Sequence, residues 1–212
     1  MKEGCVVFDG KDAEVREHIS RLHAHLIPYG PVPRLGVAFM QNTYYRILPA
    51  SQWMRCEVYG YDGKAIGFFT SAREEGSLLK ALGFWTFLKL GLGILVAIAK
   101  SPKRFFVVME LLRRSPPKDK IGAVELLSFG VEEKLRNLVD SVTGKRVSTL
   151  LFENCMSAWK AAGVQMVFCR VKRDNVPVLL FYKNYGAEII SHADDPTSYE
   201  IIFQLERWSA RS

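Results

Sequence analysis

From Ala123 onward, β-like and helix-like periodicities alternate with little chain between them. Ala123 to Val131 (AVELLSFGV) reads as a strand, and Val147 to Ala162 reads as a helix. The helix carries Leu150, Leu151, Cys155, Ala158 and Trp159 on its apolar face and is closed by Gly163. Gln165 to Val171 is a second strand, Asn175 to Tyr185 a helix ended by Gly186, and Ala187 to Ser191 with Tyr199 to Leu205 a closing pair of strands. Upstream, Trp53 to Tyr59 and Lys64 to Thr70 are β-rich runs joined by Tyr61-Asp62-Gly63, a hairpin turn signal. A hairpin followed by strand–helix–strand–helix–strand predicts an α/β (α+β) chain with a mixed, mostly antiparallel sheet and helices on its faces.

The N-terminal part fits the same plan. Gly4 to Phe8 predicts a first strand, and Asp12 caps a helix with Val15, Ile19, Leu22 and Leu26 at helical spacing. Beyond the prolines of residues 28–33, Arg34 to Leu48 reads as helical again. His18, His23 and His25 lie on the first helix, but no Cys, Asp or Glu pattern completes a tetrahedral metal set, so surface or half-buried histidines are expected and no metal.

Charge separates one segment from the rest. The chain of 212 residues has a formal net charge of +7, and residues 73–120 hold ten Lys/Arg against four Asp/Glu, a net +6. The same segment contains the most apolar stretch, Leu78 to Ala99. Lys80 and Lys89 interrupt it, and Leu90 to Ala99, its longest uncharged run, is about half of the roughly 20 residues a spanning helix needs. A second helix is expected with Ser101 as N-cap and Pro102 at its first position, bearing Phe105, Phe106, Met109 and Leu112 and stopped by Ser115-Pro116-Pro117. An apolar, basic helical insertion at about 73–120 has three readings. It buries its face on the domain or in a homodimer, covers a substrate with an apolar portion, or makes peripheral contact with an anionic membrane through residues 78–114. Nucleic acid is not the expected partner, because the aromatics sit within apolar runs rather than among the basic residues. The four cysteines form no C-x-x-C pair and Met1 to Asp12 has no apolar leader core, so a cytoplasmic chain with reduced thiols is expected, or one peripheral at the inner membrane face.

Three pieces carry the chemistry. Gly144, Lys145, Arg146 and Ser148 fill the turn from a strand into the Val147 helix, where backbone N–H groups and the helix dipole favour an anion. Asp174-Asn175 opens a helix running into Phe181-Tyr182-Lys183-Asn184-Tyr185-Gly186-Ala187, and Glu125 lies in the strand leading to the anion-binding turn. Together they resemble the GCN5-related N-acetyltransferase (GNAT) superfamily. D-N-V-P-V-L-L-F-Y-K-N-Y-G-A, residues 174–187, looks like that family's D-N-x-x-A-x-x-F-Y-x-K-x-G-F ending, with Asn175, Phe181, Tyr182 and Gly186 at matching places. E-L-L-S-F-G-V, residues 125–131, resembles its fourth strand, and T-G-K-R-V-S-T-L-L, residues 143–151, stands where the family has R-G-x-G-x-G-x-x-L-L. The chain departs from the pattern where Arg146 and Ser148 replace glycines, where Thr143 replaces the usual Arg or Gln, and in extra residues between Val131 and the turn.

The resemblance implies a single GNAT-like domain over 1–212 with the helical insertion before its fourth strand. It implies acyl transfer from acetyl-CoA, or another acyl-CoA, to the primary amine of a small molecule such as an amino sugar, by direct attack in a ternary complex. The diphosphate would rest on Gly144, Lys145, Arg146, Val147, Ser148 and Thr149. The pantetheine arm would pair with Phe129, Gly130 and Val131 and meet Asn175. Tyr182 would protonate the leaving thiolate and Glu125 would deprotonate the incoming amine. Each residue also has a structural reading: Tyr182 as a packed core ring, Glu125 as a face residue, Asn175 as an N-cap, Arg146 as a solvent-facing charge. The altered turn keeps open a second function, a GNAT-fold acyl-CoA-binding or interaction module with weak or no catalysis, and the basic insertion a third, a membrane-surface acyltransferase.

Overall fold

In the computed structural model, residues 3–73, 82–113, 120, 122–192 and 195–210 are described. Strands β1 (Gly4–Val7), β2 (Met54–Tyr61), β3 (Lys64–Arg73), β4 (Val124–Val131), β5 (Met166–Lys172), β6 (Glu188–His192) and β7 (Asp195–Gln204) form one sheet in the order β1-β2-β3-β4-β5-β7-β6. All neighbours are antiparallel except β4 and β5. The mixed, mostly antiparallel sheet is the expected one. β2 and β3 are joined through Asp62 and Gly63, whose φ values of 47° and 75° give a tight turn matched to the twist of the two strands.

Helices α1 (Ala13–Leu26), α2 (Pro31–Arg34), α3 (residues 37–47), α4 (Phe84–Lys100) and α5 (Arg104–Arg113) cover one face. Helices α6 (Val147–Ala161) and α7 (Val176–Asn184) cover the other. Behind α6 and α7, the core contains Leu126, Val147, Leu151, Phe152, Tyr182 and Phe203. On the opposite face Ile19, Met40, Tyr45, Cys56, Val58 and Phe68 form a second core, which Leu90 and Ala97 of α4 join.

Local chemistry explains most boundaries. Asp12 accepts from the N–H groups of Glu14 and Val15, as its position predicts. The stretch expected to be one helix from Arg34 to Leu48 is divided, because Gly36 takes φ 100° between α2 and α3. α3 contains a π-helical turn over Met40–Tyr44, which lays Tyr44 and Tyr45 together against the sheet. Ser101 does not cap α5 but ends α4, its N–H bonding to Ile98 O. α5 begins at Arg104, after a turn at Pro102 and Lys103, because the N–H groups of Arg104, Phe105 and Phe106 bond the carbonyls three residues back, and the Arg104 guanidinium ties the two helices by reaching Ala97 O (3.1 Å). The expected stop at Ser115-Pro116-Pro117 and the start of the insertion at residues 74–81 lie outside the described residues. At Gly93 a side chain would come within 2.4 Å of Thr43, so this glycine lets α4 lie directly on α3. Among the described residues no helix is long and apolar enough to cross a membrane.

Candidate active site

β4 and β5 are paired only at Val124↔Val167 and Glu125↔Phe168. Beyond those two pairs β4 stays bonded to β3 and β5 to β7, so the two parallel strands part towards their carboxyl ends. Such a parting leaves backbone groups of β4 without a strand partner. The Glu132 N–H bonds Ile66 O on β3, and antiparallel ladders alternate, so Gly130 also faces β3 while Phe129 and Val131 turn their N–H and C=O towards the gap. Gly130 has a packing role as well: a side chain there would meet Leu26 of α1 at 2.6 Å. A bulge at Leu127, between the pairs Thr70↔Ser128 and Ser71↔Leu126, bends β4 where the parting begins.

The helix that follows β4 starts at the open end of this gap, because a parallel β–α–β unit sets its helix N-terminus at the carboxyl ends of its strands. Arg146 occupies the N-cap of α6 in an extended conformation, and no side chain caps the helix. The Val147 N–H is taken by Leu138 O (3.1 Å), Lys145 N–H by the Thr143 hydroxyl (3.3 Å), and Leu150 N–H by Arg146 O. Those bonds narrow the sequence-based donor set, since Ser148 and Thr149 are the first-turn N–H groups that neither a side-chain cap nor a described loop bond uses. The Arg146 side chain is exposed and does not enter the core, while Val147 is fully buried. Gly144 takes φ 67°, a left-handed conformation that closes the turn before the helix.

Asp140, absent from the sequence-based set, organises this turn. Its carboxylate accepts from the N–H groups of Val142 (3.2 Å) and Thr143 (2.7 Å), from the Thr143 hydroxyl (2.7 Å) and from the Tyr59 hydroxyl (2.7 Å). Burial alone would push its pKa up, but these hydrogen bonds outweigh it and hold the carboxyl below the usual range. The Asp-x-x-Thr-Gly spacing of residues 140–144 is the sequence signal for such a turn. Lys145 turns its ammonium inward to the buried Glu153 (2.8 Å), which also accepts from Tyr185 (3.0 Å).

Glu125 and the buried Tyr182 lie near the closed end of the gap, whereas the exposed Asn175 lies beyond the carboxyl end of β5. Glu125, half-buried, is the last β4 residue paired with β5, and Cys169 is the first β5 residue beyond that pairing. Tyr182 packs between Phe152 (5.7 Å) and Phe203 (5.5 Å), with its hydroxyl at the Cys169 thiol. Burial, and next the neighbouring Cys169, push the phenol pKa well above its ordinary value, so the proton stays on. Phe181 and Phe129 face each other across the gap with ring centroids 6.0 Å apart. Asn175 holds the N-cap position of α7, yet its side chain makes no capping bond and is exposed.

Behind β4 lies a polar chain that sequence reading missed. His23 Nδ1 meets the Tyr45 hydroxyl at 2.8 Å, Tyr45 bonds Ser128, and Ser128 Oγ meets Thr70 Oγ1 at 2.5 Å. Thr70 in turn bonds Tyr44, whose pKa is raised first by burial and in smaller part by the Glu125 carboxylate. His23 is therefore a core residue, its pKa lowered to about 4 by burial. His18 is half-buried and His25 exposed.

No protein-family model matches the sequence, and no curated protein matches it. Solved structures do. Ard1 from Thermoplasma volcanium is 17% identical, with TM-score 0.54 over 95% of this chain and 96% of its own. An aminoglycoside 6'-acetyltransferase type Ii is 12% identical, with TM-score 0.57 over 95% and 97%. Arabidopsis thaliana NAA60 in complex with acetyl-CoA is 15% identical, with TM-score 0.55 over 96% and 98%. The chain has the fold of the GNAT acetyltransferases, as its motifs suggest, along nearly its whole length.

Proposed function

We propose that this protein transfers an acetyl group from acetyl-CoA to the primary amine of a small molecule, by direct attack in a ternary complex. The observation that carries this reading is the parting of β4 and β5 beyond Glu125 and Phe168, beside a helix N-terminus with no side-chain cap. A chain bearing amides and a diphosphate fits these features together. Phe129 and Val131 offer backbone donors and acceptors at strand spacing, as an added strand would need. Ser148 and Thr149 offer N–H groups to phosphate, and the exposed Arg146 guanidinium stands beside them.

The same reading assigns the reacting groups. The amine nitrogen forms its bond to the acetyl carbonyl carbon as the carbon–sulfur bond breaks. Glu125 takes the proton that the ammonium must lose, and Tyr182 gives its phenolic proton to the departing thiolate. The phenol carries its proton at neutral pH, but burial makes it a weak acid, so the proton moves only as negative charge builds on the departing sulfur. A gap N–H of β4 polarises the acetyl carbonyl as negative charge develops on its oxygen. Asn175, exposed at the start of α7, contacts the arm of the co-substrate. That one structural neighbour acts on an aminoglycoside favours an amino sugar or a similar amine as acceptor.

Calorimetric titration with acetyl-CoA, followed by a thiol-release assay over a panel of amines, tests the proposal. Saturable binding and amine-dependent release of CoA are expected. No binding at millimolar acetyl-CoA overturns it and leaves an interaction module with this fold. Binding without turnover on any amine overturns the catalytic part alone.

A further inference from the structure

The α4–α5 hairpin keeps much of its apolar surface in water. At about 100° per residue, Trp85, Leu88, Leu92, Leu95 and Val96 fall on one side of α4, opposite the buried Leu90 and Ala97. All five are exposed, Trp85 at 72%. Phe84 and Trp85 stand at the start of α4, and Phe105 and Phe106 at the start of α5, where the chain has just reversed beyond the far end of α4. Exposed aromatic side chains therefore stand near both ends of α4.

Cations follow one border of the stripe. Lys89 and Lys100 are eleven positions apart and lie on the same side of α4. With Arg46 of α3 and Arg104 of α5 they line a cleft of ≈ 670 Å³ between α3 and α4. α4 contains no acidic residue. In α5, Glu110 pairs with Arg34 (2.7 Å). An apolar face of this size exceeds the scattered exposure normal for a soluble surface.

We propose that the α4–α5 hairpin docks flat on an anionic lipid bilayer. The α4 stripe lies at the acyl boundary, and Lys89, Lys100, Arg46 and Arg104 lie among the headgroup phosphates. The aromatic residues at both ends suit the interface between headgroups and chains, and the bordering cations suit anionic lipid. A second copy of the chain fits less well. A twofold contact would bring two segments of net +6 together, and the cores of protein interfaces are depleted of lysine.

The test uses the full chain and vesicles of phosphatidylcholine with or without phosphatidylglycerol. Co-sedimentation is expected with the anionic vesicles at low salt and is lost at high salt. A Leu92→Glu/Leu95→Glu variant should lower the partition coefficient by about tenfold or more, and Lys89→Gln/Lys100→Gln by about tenfold. Brominated phosphatidylcholine should quench Trp85 fluorescence, a signal absent from Trp85→Phe. Circular dichroism confirms that each variant is folded. No binding to anionic vesicles at low salt overturns the proposal, as does binding undiminished in the double-Glu variant. A dimer in sedimentation equilibrium that Leu92→Glu dissociates, without vesicle binding, assigns the face to a second copy instead. None of these readouts involves acetyl-CoA, so they stand or fall apart from the acetyltransferase assignment.

Discussion

Two regions of this molecule are rich in aromatic rings, and they use them in opposite ways. Around α6 and α7, Phe152 is packed by Phe181 (5.3 Å), Tyr182 (5.7 Å), Tyr185 (4.7 Å) and Phe203 (5.5 Å), and is fully buried. In the α4–α5 hairpin, Phe84 pairs with Trp85 and Phe105 with Phe106, each with its neighbour in sequence, and all four remain exposed. The first cluster holds the strands, the parted gap and the Tyr182 hydroxyl in one arrangement. The second contributes to the core through other residues, Leu90 and Ala97 on the inner side of α4 and Val107 of α5. Hydrophobicity alone does not make a core; what matters is whether the sheet has a face left to cover.

The contrast breaks most directly on single truncations. Phe152→Ala should cost about 3–5 kcal/mol of stability in urea unfolding, whereas Phe106→Ala should stay within about 0.5 kcal/mol. Equal costs would mean that the hairpin ring is core after all. Acid should separate the two faces next. The folded protein disfavours the His23 imidazolium, so the unfolded chain binds more protons between about pH 6.5 and about 4. Stability present above pH 6.5 should therefore fall as pH drops towards 4, by roughly 3 kcal/mol in all. His23→Gln should flatten that slope, as unfolding measured across the pH range would show, while the aromatic cluster around Phe152 is untouched.

Catalysis sharpens the same comparison from the gap side. Tyr182→Phe keeps the ring among Phe152 and Phe203 and removes only the hydroxyl, so turnover should fall about a hundredfold while the acetyl-CoA Kd barely changes. An unchanged kcat would return Tyr182 to a packing role. The smallest effect is expected at the turn before α6. Arg146→Gly removes an exposed charge beside Ser148 and Thr149, so acetyl-CoA affinity should weaken a few-fold in calorimetry. An unaltered Kd would make the side chain a bystander.

The strand and helix order was legible from Ala123 onward because each element is bounded by its own turn residues, Gly163 and Gly186 among them. β7 was the exception. It begins at Asp195, ahead of the expected Tyr199, because beyond Ser191↔Tyr199 the register shifts and the chain pairs with β6 once more at His192↔Asp195. α3 starts at Val37 and not at the expected Arg34, since Gly36 inside an otherwise helical stretch gives no local sign that its φ will be positive. Glu125 and Tyr182 were legible as candidates from their motifs. Asp140 had a local signal in its Asp-x-x-Thr-Gly spacing, but its bond to Tyr59, the partners of Glu153 and the chain from His23 to Tyr44 had none, because those groups lie well apart in the sequence.

By itself the sequence determined the periodicities, the turns and the concentration of positive charge in one apolar segment, all of which depend on residues near one another in the chain. Only the tertiary structure decided where β4 and β5 part, which N–H groups of the turn remain for a ligand, and which side of α4 faces water. Those outcomes depend on pairing and packing between elements tens of residues apart, where every group competes with the rest of the molecule for a partner.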